Sequence, residues 1–251
     1  MPARQVDSSE QYMTKLDIKI QSDKLVLHGV IDTPIAHSKV GILFLHGGGH
    51  SQAERYGDVQ SYFSDKNINS MAFSFRGCGS SEGIFEESNL TDRLVDAESA
   101  LKSFKDITGL TDNQIFLWGS SMGGHIAARL TSTHSNIKGL ILQSAAAYGQ
   151  HAESQSFGPK FSDAINSENN WIDSLAFSSL SSFSNPTLLL YGENDTTIPE
   201  QVKEIYSKSA KYIQKIIISG YGHKMLKPES NIEKNAWKEM VKSALDFIES
   251  K

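Results

Sequence analysis

The stretch that most constrains this chain is QIFLWGSSMGGHIAA, residues 114–128. Its run IFLW has the length and composition of a buried strand, and a helix-like segment follows the glycines. Ser121 stands at the apex of the turn between them, with Gly119 and Gly123 two positions away on either side. Glycine at both positions lets the strand end and the helix start pass closely. The pattern predicts a strand, a sharp turn that exposes the Ser121 hydroxyl, and a helix.

Such a turn suits a nucleophile, because the free N–H groups of Met122 and the first helical turn supply positive potential where negative charge would develop. Ser120 does not fit the pattern, since Trp118 stands two positions before it. An ordinary glycine-rich connection can have the same five residues. The rest of the sequence is therefore needed to distinguish a nucleophile turn from a purely structural one.

The bulk composition favours one large globular domain over residues 1–251, with 39% hydrophobic and 21% charged residues and no linker-like break. The formal net charge of -5 gives no electrostatic reason to bind nucleic acid. No stretch is apolar enough for a signal peptide or a membrane span, and the single Cys78 fits a reducing compartment. We expect a cytoplasmic protein with no nucleic-acid partner and no membrane insertion, while export without an amino-terminal signal stays open.

The amino-terminal half alternates strands with helices. Period-two patterns over residues 16–20 and 25–31 predict an antiparallel hairpin, and the continuously apolar residues 40–45 are typical of a buried parallel strand. Three further elements are predicted before the serine turn: a helix over 56–66, a strand over 71–75, and a helix from an Asn89 cap through 107.

The carboxy-terminal half continues the alternation. It predicts a helix to about 133, strands over 139–145, 186–191 and 213–218, and helices over 200–210 and 231–249. The last helix is expected to turn one stripe to the sheet: Ile232, Ala236, Met240, Ala244 and Ile248. Residues 148–185 interrupt the alternation of strands and helices, and this segment is too long for an ordinary loop between two elements. We interpret them as a small lid, since aromatic residues such as Phe157, Phe161, Trp171, Phe177 and Phe183 disfavour the alternative of a disordered insertion.

Three residues that could form a catalytic site each follow a predicted strand: Ser121, Asp195 and His223. Parallel strands present their carboxyl ends at one edge of a sheet, so these residues are expected to converge there. A serine hydroxyl becomes a good nucleophile when an imidazole takes its proton, and a carboxylate fixes the tautomer and orientation of that imidazole. The three residues supply all of these groups.

The strand, G-x-S-x-G and helix, followed by Asp195 and then His223, resemble the α/β-hydrolase superfamily, in its esterase, monoacylglycerol-lipase-like and serine aminopeptidase-like branch. The resemblance extends over residues 16–248. It implies a mostly parallel twisted sheet with an antiparallel amino-terminal hairpin, helices on both faces and a small lid insertion. It also implies Ser121 as nucleophile, His223 as general base and acid, and Asp195 as the orienting carboxylate.

Two other segments resemble elements of the same family. Residues 46–48, His-Gly-Gly, resemble the segment after its first parallel strand, which implies that the N–H groups of Gly48 and Met122 form an oxyanion hole. Residues 76–81 resemble its R-G-x-G-x-S element, whose implied role is mainly structural.

Other candidate ligand sites are weaker. Glu193 and Asp173 are carboxylates near in sequence, but Asp195 holds the family position. His46 and His50 lack a third ligand and have three glycines between them, so no metal is expected. No G-K-[ST] follows these glycines, and no nucleotide or other cofactor is expected.

The aromatic residues of the lid suggest an apolar pocket for an acyl or aryl group. Candidate substrate-binding residues are Gly49, His125, Phe157 and Trp171. His125 lies just inside the helix predicted after Ser121, and a packing role is an equal alternative for it.

We expect a serine hydrolase, a carboxylesterase, that cleaves a small-molecule carboxylic ester of modest size through an acyl-enzyme on Ser121. A thioesterase or an aminopeptidase-like amidase uses the same triad, and a cofactor-free haloperoxidase or a C–C bond hydrolase shares the residues. A non-catalytic binding protein on the same scaffold is the alternative from a different class. Such proteins usually lack a triad member, whereas here none is missing.

Overall fold

The computed structural model describes residues 14–34, 38–224 and 230–251. Within these residues the strands are β1 Thr14–Ser22, β2 Leu25–Thr33, β3 Gly41–Leu45, β4 Asn69–Phe73, β5 Ile115–Ser120, β6 Gly139–Gln143, β7 Thr187–Gly192 and β8 Ile213–Ile218. The α-helices are α1 Gly57–Ser64, α2 Leu90–Thr108, α3 Met122–Leu130, α4 Pro159–Asn166, α5 Leu175–Ser182, α6 Glu200–Ser209 and α7 Asn231–Glu249.

The strands form one sheet in the order β1-β2-β4-β3-β5-β6-β7-β8. The first two strands pair antiparallel, with Ile18 opposite Gly29, and β2 also runs antiparallel to β4. From β4 to β8 every neighbouring pair is parallel. The predicted class, a mostly parallel sheet with an antiparallel amino-terminal hairpin, is confirmed.

Helices cover both faces of the sheet, because successive side chains of a strand point to opposite sides. On β3, Leu43 and Leu45 face a core shared with α2, α3, α5 and α6. Their neighbours Ile42 and Phe44 face a second core that is filled by α1 and α7. The strands of this region are fully buried, which explains why their sequences are continuously apolar.

Two elements differ from the sequence prediction in an instructive way. Strand β4 ends at Phe73 rather than at Phe75, because the N–H of Phe75 donates to the ring of His46 instead of joining the sheet. Helix α7 has the predicted bounds, but the prediction that Ile232 faces the sheet is wrong. Ile232 is 66% exposed and lies over Gly220, in the loop after β8.

The insertion, residues 148–185, contains α4 and α5. Four of its six aromatic residues are buried: Phe157, Phe161, Phe177 and Phe183. Its action as a lid stays a prediction. Among the helices that the structure describes, none has the length and apolarity needed to cross a bilayer.

Candidate active site

The turn at Ser121 is the sharp strand-to-helix connection that the sequence predicts. Ser121 has φ 52° and ψ -116°, a conformation that is costly for a residue with a side chain. A Cβ atom on Gly119 would collide with the backbone of Gly123, and one on Gly123 would collide with the carbonyl of Leu45. Glycine is therefore required at both positions, and the N–H of Ser121 fixes the turn by donating to Gln143 at 2.9 Å.

The structure brings the three predicted catalytic side chains together. The Nε2 atom of His223 lies 3.1 Å from Oγ of Ser121, and its Nδ1 atom lies 3.1 Å from each carboxylate oxygen of Asp195. Ser121 ends the turn after β5, Asp195 follows β7, and His223 follows β8. Residues that are far apart in sequence thus lie together at one edge of the sheet, because each follows the carboxyl end of a parallel strand.

The Asp195 side chain is fully buried, yet it is held as a carboxylate. Burial by itself raises the pKa of Asp195, but the hydrogen bond with His223 and the backbone N–H of Thr197 outweigh that effect, so the pKa lies below its usual value. The competing carboxylates are engaged elsewhere: Glu193 accepts from the N–H of Gly220 at 2.8 Å, and Asp173 accepts from the N–H of Gln150 at 3.1 Å.

His46 fixes the segment that precedes the predicted oxyanion donor. Its Nε2 atom accepts from the N–H of Phe75 at 3.1 Å, so Nδ1 carries the proton and donates to the carbonyl of Gly47 at 2.8 Å. Burial, helped by the charge of Arg93, lowers the pKa of His46 to about 3, and the ring is neutral. Both ring nitrogens are used within the protein, which leaves neither for a metal ion.

Arg93 is a second support of this segment, and the sequence reasoning missed it. Its side chain is buried, donates to the carbonyl of Gly47 at 3.0 Å, and lies against Phe75 and Phe157, with the guanidinium carbon 4.6 Å and 5.0 Å from the two ring centroids. Burial lowers the pKa of Arg93, and among the described residues its Nε has no hydrogen-bond partner. The available signal was an arginine at the spacing of the buried stripe of α2.

The two predicted oxyanion donors lie side by side next to Ser121. Met122 begins α3, where the first N–H groups have no partner within the helix. A Cβ atom on Gly48 would come within 3.2 Å of the Met122 side chain, which places the two residues in contact distance. Their action as donors stays a prediction.

A cavity of about 120 Å³ opens at Ser121. Among the described residues its lining consists of Gly47, Gly48, Ser51, Arg55, Ser120, Ser121, Gln143, His223 and Lys224. The cavity is smaller than the roughly 300–1,000 Å³ of pockets that hold drug-sized ligands. Two exposed cations, Arg55 and Lys224, are part of this lining, and none of the described lining residues is a carboxylate.

The four candidate substrate-binding residues do not line this cavity. Gly49 is exposed beside it, and Trp171 is half-buried against the core. Phe157 is buried beneath Arg93, and His125 is fully buried with Nε2 3.0 Å from Glu153. The contacts of His125 are those of the packing alternative, and substrate contact by the four residues stays a prediction without geometric support.

The R-G-x-G-x-S element has the structural contacts that the resemblance implies. Arg76 donates from Nε and Nη2 to Asp96, whose side chain is fully buried, and it also pairs with Asp92 and Asp23. These bonds tie the loop after β4 to α2 and to the hairpin turn.

The sequence model of a family described as serine aminopeptidase, S33, matches residues 36–178, more than half of the chain. The chain belongs to this S33 family. Together with the sheet and the solved structures that it resembles, the match makes the protein a member of the α/β-hydrolase superfamily, as the sequence motifs predicted.

Curated relatives of this S33-family chain are distant. It is 33% identical over 99 residues to a multifunctional-autoprocessing repeats-in-toxin of Vibrio vulnificus, which covers 39% of the chain and 2% of the toxin. It is 26% identical over 189 residues to the protein YfhR of Escherichia coli, which covers 74% of the chain and 63% of YfhR. The chain therefore spans less than two thirds of either relative.

Solved structures share the fold at low sequence identity. Est1E of Butyrivibrio proteoclasticus, solved with ferulic acid bound, has a TM-score of 0.71 and 19% identity, and the match covers 93% of this chain and 100% of Est1E. An esterase of Pyrococcus furiosus has a TM-score of 0.69 and 20% identity, with 95% and 93% of the two chains covered. These matches show that the chain shares the fold of these proteins.

Proposed function

We propose that this S33-family chain is a serine hydrolase that cleaves small carboxylic esters through an acyl-enzyme on Ser121. The observation that carries the proposal is the unbroken chain of contacts from Ser121 Oγ through the His223 ring to Asp195, each 3.1 Å long. Nucleophile, base and orienting carboxylate are all within hydrogen-bonding reach.

In the first half of the reaction, Ser121 Oγ attacks the ester carbonyl while Nε2 of His223 takes the hydroxyl proton. The negative charge on the carbonyl oxygen would be stabilised by the N–H groups of Gly48 and Met122, each worth about 3 kcal/mol. When the C–O bond breaks, His223 returns the proton to the departing alcohol. Asp195 keeps the ring oriented and stabilises its charged form.

In the second half, water takes the place of the alcohol. His223 removes a proton from the water as it attacks the acyl carbon, and the same N–H groups stabilise the second oxyanion. Collapse breaks the bond to Ser121 Oγ, which regains its proton from His223. The carboxylic acid leaves and the free enzyme is restored.

The lining of the cavity favours an ester over the aminoacyl amide that the family name suggests. A free amine beside the scissile bond would be a cation, and it would meet Arg55 and Lys224 with no carboxylate among the lining residues that the structure describes. The cavity of about 120 Å³ fits a small acyl or alcohol part. Similarity to an esterase of known structure supports the same choice.

The test is a matched panel of an acetyl ester, the corresponding thioester and an alanyl amide with the same aromatic leaving group. We expect hydrolysis of the ester by the wild type, with kcat/KM at least 100-fold above that of the amide, and loss of the activity in Ser121→Ala. Preferred cleavage of the alanyl amide would contradict the proposal, as would full ester hydrolysis by Ser121→Ala.

A further inference from the structure

We propose that the cavity at Ser121 selects esters that carry an acidic group, a carboxylate or a phosphate, and that Arg55 and Lys224 bind that group. The inference deepens the proposed ester hydrolysis and rests on it. It concerns the choice of substrate, which the three catalytic side chains do not determine.

The first observation is that both cations lack a partner charge within residues 14–34, 38–224 and 230–251. Neither Arg55 nor Lys224 forms an ion pair with a residue of these ranges, although both line a cavity. The carboxylate next to Arg55 in the chain, that of Glu54, lies 3.4 Å from the ring of His28. In a chain with a net charge of -5, two cations beside the nucleophile with no ion pair to a described residue are a local reversal of the overall charge.

The second observation is that the backbone carrying Arg55 is fixed. Its flanking residues Ala53 and Tyr56 are fully buried. The N–H of Ala53 donates to Ser74 Oγ at 2.9 Å, and the Tyr56 hydroxyl lies 3.1 Å from Ser120 Oγ, directly beside the nucleophile. The guanidinium is free to adjust while its attachment point is held against the serine turn.

Lys224 follows His223 directly in sequence, and the ring of His223 is held between Asp195 and Ser121. Lys224 is thus attached next to a fixed residue of the site. Arg55 lies in the segment after β3 and Lys224 in the segment after β8, so the two cations reach the cavity from different parts of the chain.

Among the described residues, Asp195 is the carboxylate bonded into this site, through His223, and its single negative charge is outnumbered by the two cations. The free N–H groups at the start of α3 add positive potential. An acidic group on the substrate would meet attraction from both cations, whereas an ammonium group would meet repulsion. Because both side chains are exposed, we expect each to contribute only several-fold in kcat/KM and to lose that effect at high salt.

The experiment compares esters that differ only in whether an acidic group is free or capped with a methyl group. One pair, 4-acetoxybenzoate and its methyl ester, carries the charge on the alcohol side. The other, mono-4-nitrophenyl adipate and its methyl ester, carries it on the acid side. The measured quantity is the ratio of kcat/KM for the anionic to the neutral member.

We expect a ratio of about ten or more for at least one pair at low salt, falling towards one in 0.5 M NaCl. The double variant Arg55→Gln, Lys224→Gln should lower that ratio about tenfold, and Arg55→Lys, which keeps the charge, should retain most of it. The matched control is Lys39→Gln, Lys66→Gln, which removes two exposed lysines at the opposite edge of the sheet. The pair that shows the preference tells which side of the ester carries the acidic group.

Ratios near one for both pairs, or a ratio that the Arg55 and Lys224 double variant leaves unchanged, would overturn the inference while ester hydrolysis stands. Selectivity can also be measured without turnover, as binding of the same esters to Ser121→Ala by calorimetry. Tighter binding of the anionic esters there, with no hydrolysis by the wild type, would support the acidic-group site and contradict the proposed reaction. Equal binding of charged and capped esters would contradict the site.

Discussion

In the part of the chain that the structure describes, serine, histidine and carboxylate side chains meet in two constellations, and one of the two has the surroundings of a catalytic site. In the first, His223 lies 3.1 Å from both Ser121 and Asp195. In the second, His125 on α3 lies 3.0 Å from Glu153 and 3.5 Å from the hydroxyl of Ser174, both of which belong to the insertion. The three functional groups are the same in kind.

The surroundings differ in three ways. Ser121 has φ 52° at the mouth of a cavity, whereas Ser174 has an ordinary φ of -57° and accepts from the N–H of Ala176 as the cap of α5. The His223 side chain is 19% exposed and His125 is fully buried. The carboxylate of Glu153 is shared with Arg129. The second constellation joins the insertion to α3, and its hydrogen bonds serve packing rather than chemistry.

The two serines give the largest expected contrast. Ser121→Ala should lower kcat for an ester by at least about 10⁴-fold, because no nucleophile remains. Ser174→Ala should stay within about threefold of the wild type in kcat and lose about 1 kcal/mol of unfolding free energy, because it removes a helix cap. Steady-state kinetics and urea unfolding of both variants measure the contrast. Comparable losses of kcat in the two variants would contradict the expected difference between Ser121 and Ser174.

The two carboxylates come next in size. Asp195→Asn should lower kcat roughly 10³- to 10⁴-fold with little loss of stability, since the amide no longer holds the required tautomer of His223. Glu153→Gln should instead lower the unfolding free energy by about 1–3 kcal/mol, because it weakens the bonds to His125 and Arg129. Kinetics and thermal unfolding on the same preparations test the pair. An Asp195→Asn variant with wild-type kcat would contradict the proposed role.

Two arginines, Arg93 and Arg76, are expected to differ in the same way: one affects the reaction and the other affects stability. Arg93→Met should lower kcat about 10- to 100-fold, because the Gly47 carbonyl loses a donor and the adjoining Gly48 N–H shifts. Its stability should stay equal or rise, since a buried charge with no carboxylate partner among the described residues is replaced by an apolar side chain.

The matched control is Arg76→Met, which leaves the fully buried carboxylate of Asp96 without its partner and should cost about 3–5 kcal/mol. Urea unfolding reports stability and ester hydrolysis reports kcat. If Arg93→Met were the more destabilised of the two, the distinction between the arginines would be wrong.

The smallest expected effect is on the pH dependence of the unfolding free energy. Burial lowers the pKa of His125 against the raising effect of its bond to Glu153. A histidine held neutral in the fold gives its full stabilisation above pH about 6.5, and this is lost as the pH falls below that value, by up to about 1.4 kcal/mol per pH unit. His125→Gln should flatten the fall in unfolding free energy between pH 6.5 and 5.5.

His134→Gln is the control for that measurement. The bond to Glu98 raises the pKa of His134, so its contribution is complete below pH 6.5 and is lost only as the pH rises through its pKa in the fold. Removing it should leave the slope below pH 6.5 unchanged. An unchanged slope in His125→Gln as well would contradict the expected neutral state of His125.

The sequence alone was enough for the eight strands, for the helices outside the insertion and for the three catalytic candidates, whereas α4 and α5 were not predicted. Buried parallel strands are recognisable as apolar runs, and the residues directly after them must meet at one edge of the sheet. Ser121, Asp195 and His223 could therefore be placed together without coordinates.

The remainder depends on tertiary contacts that periodicity does not encode. Arg93 was not identified from the sequence, because a charged side chain is ordinarily expected to face solvent, even where its spacing places it on the apolar face of a helix. Ile232 was placed inside because its spacing matches the stripe of α7, although that turn of the helix lies over a loop. The substrate residues Phe157 and Trp171 were chosen for their chemistry, whereas the cavity is lined by residues of four separate loops and strand ends.

The most direct test of the central claim is reaction with a fluorophosphonate probe, followed by peptide mass spectrometry. We expect one adduct per chain on the peptide that contains Ser121, none on the peptide that contains Ser174, and no adduct in folded Ser121→Ala. An unlabelled but folded wild type, or an adduct on any serine other than Ser121, would contradict the proposed role of Ser121.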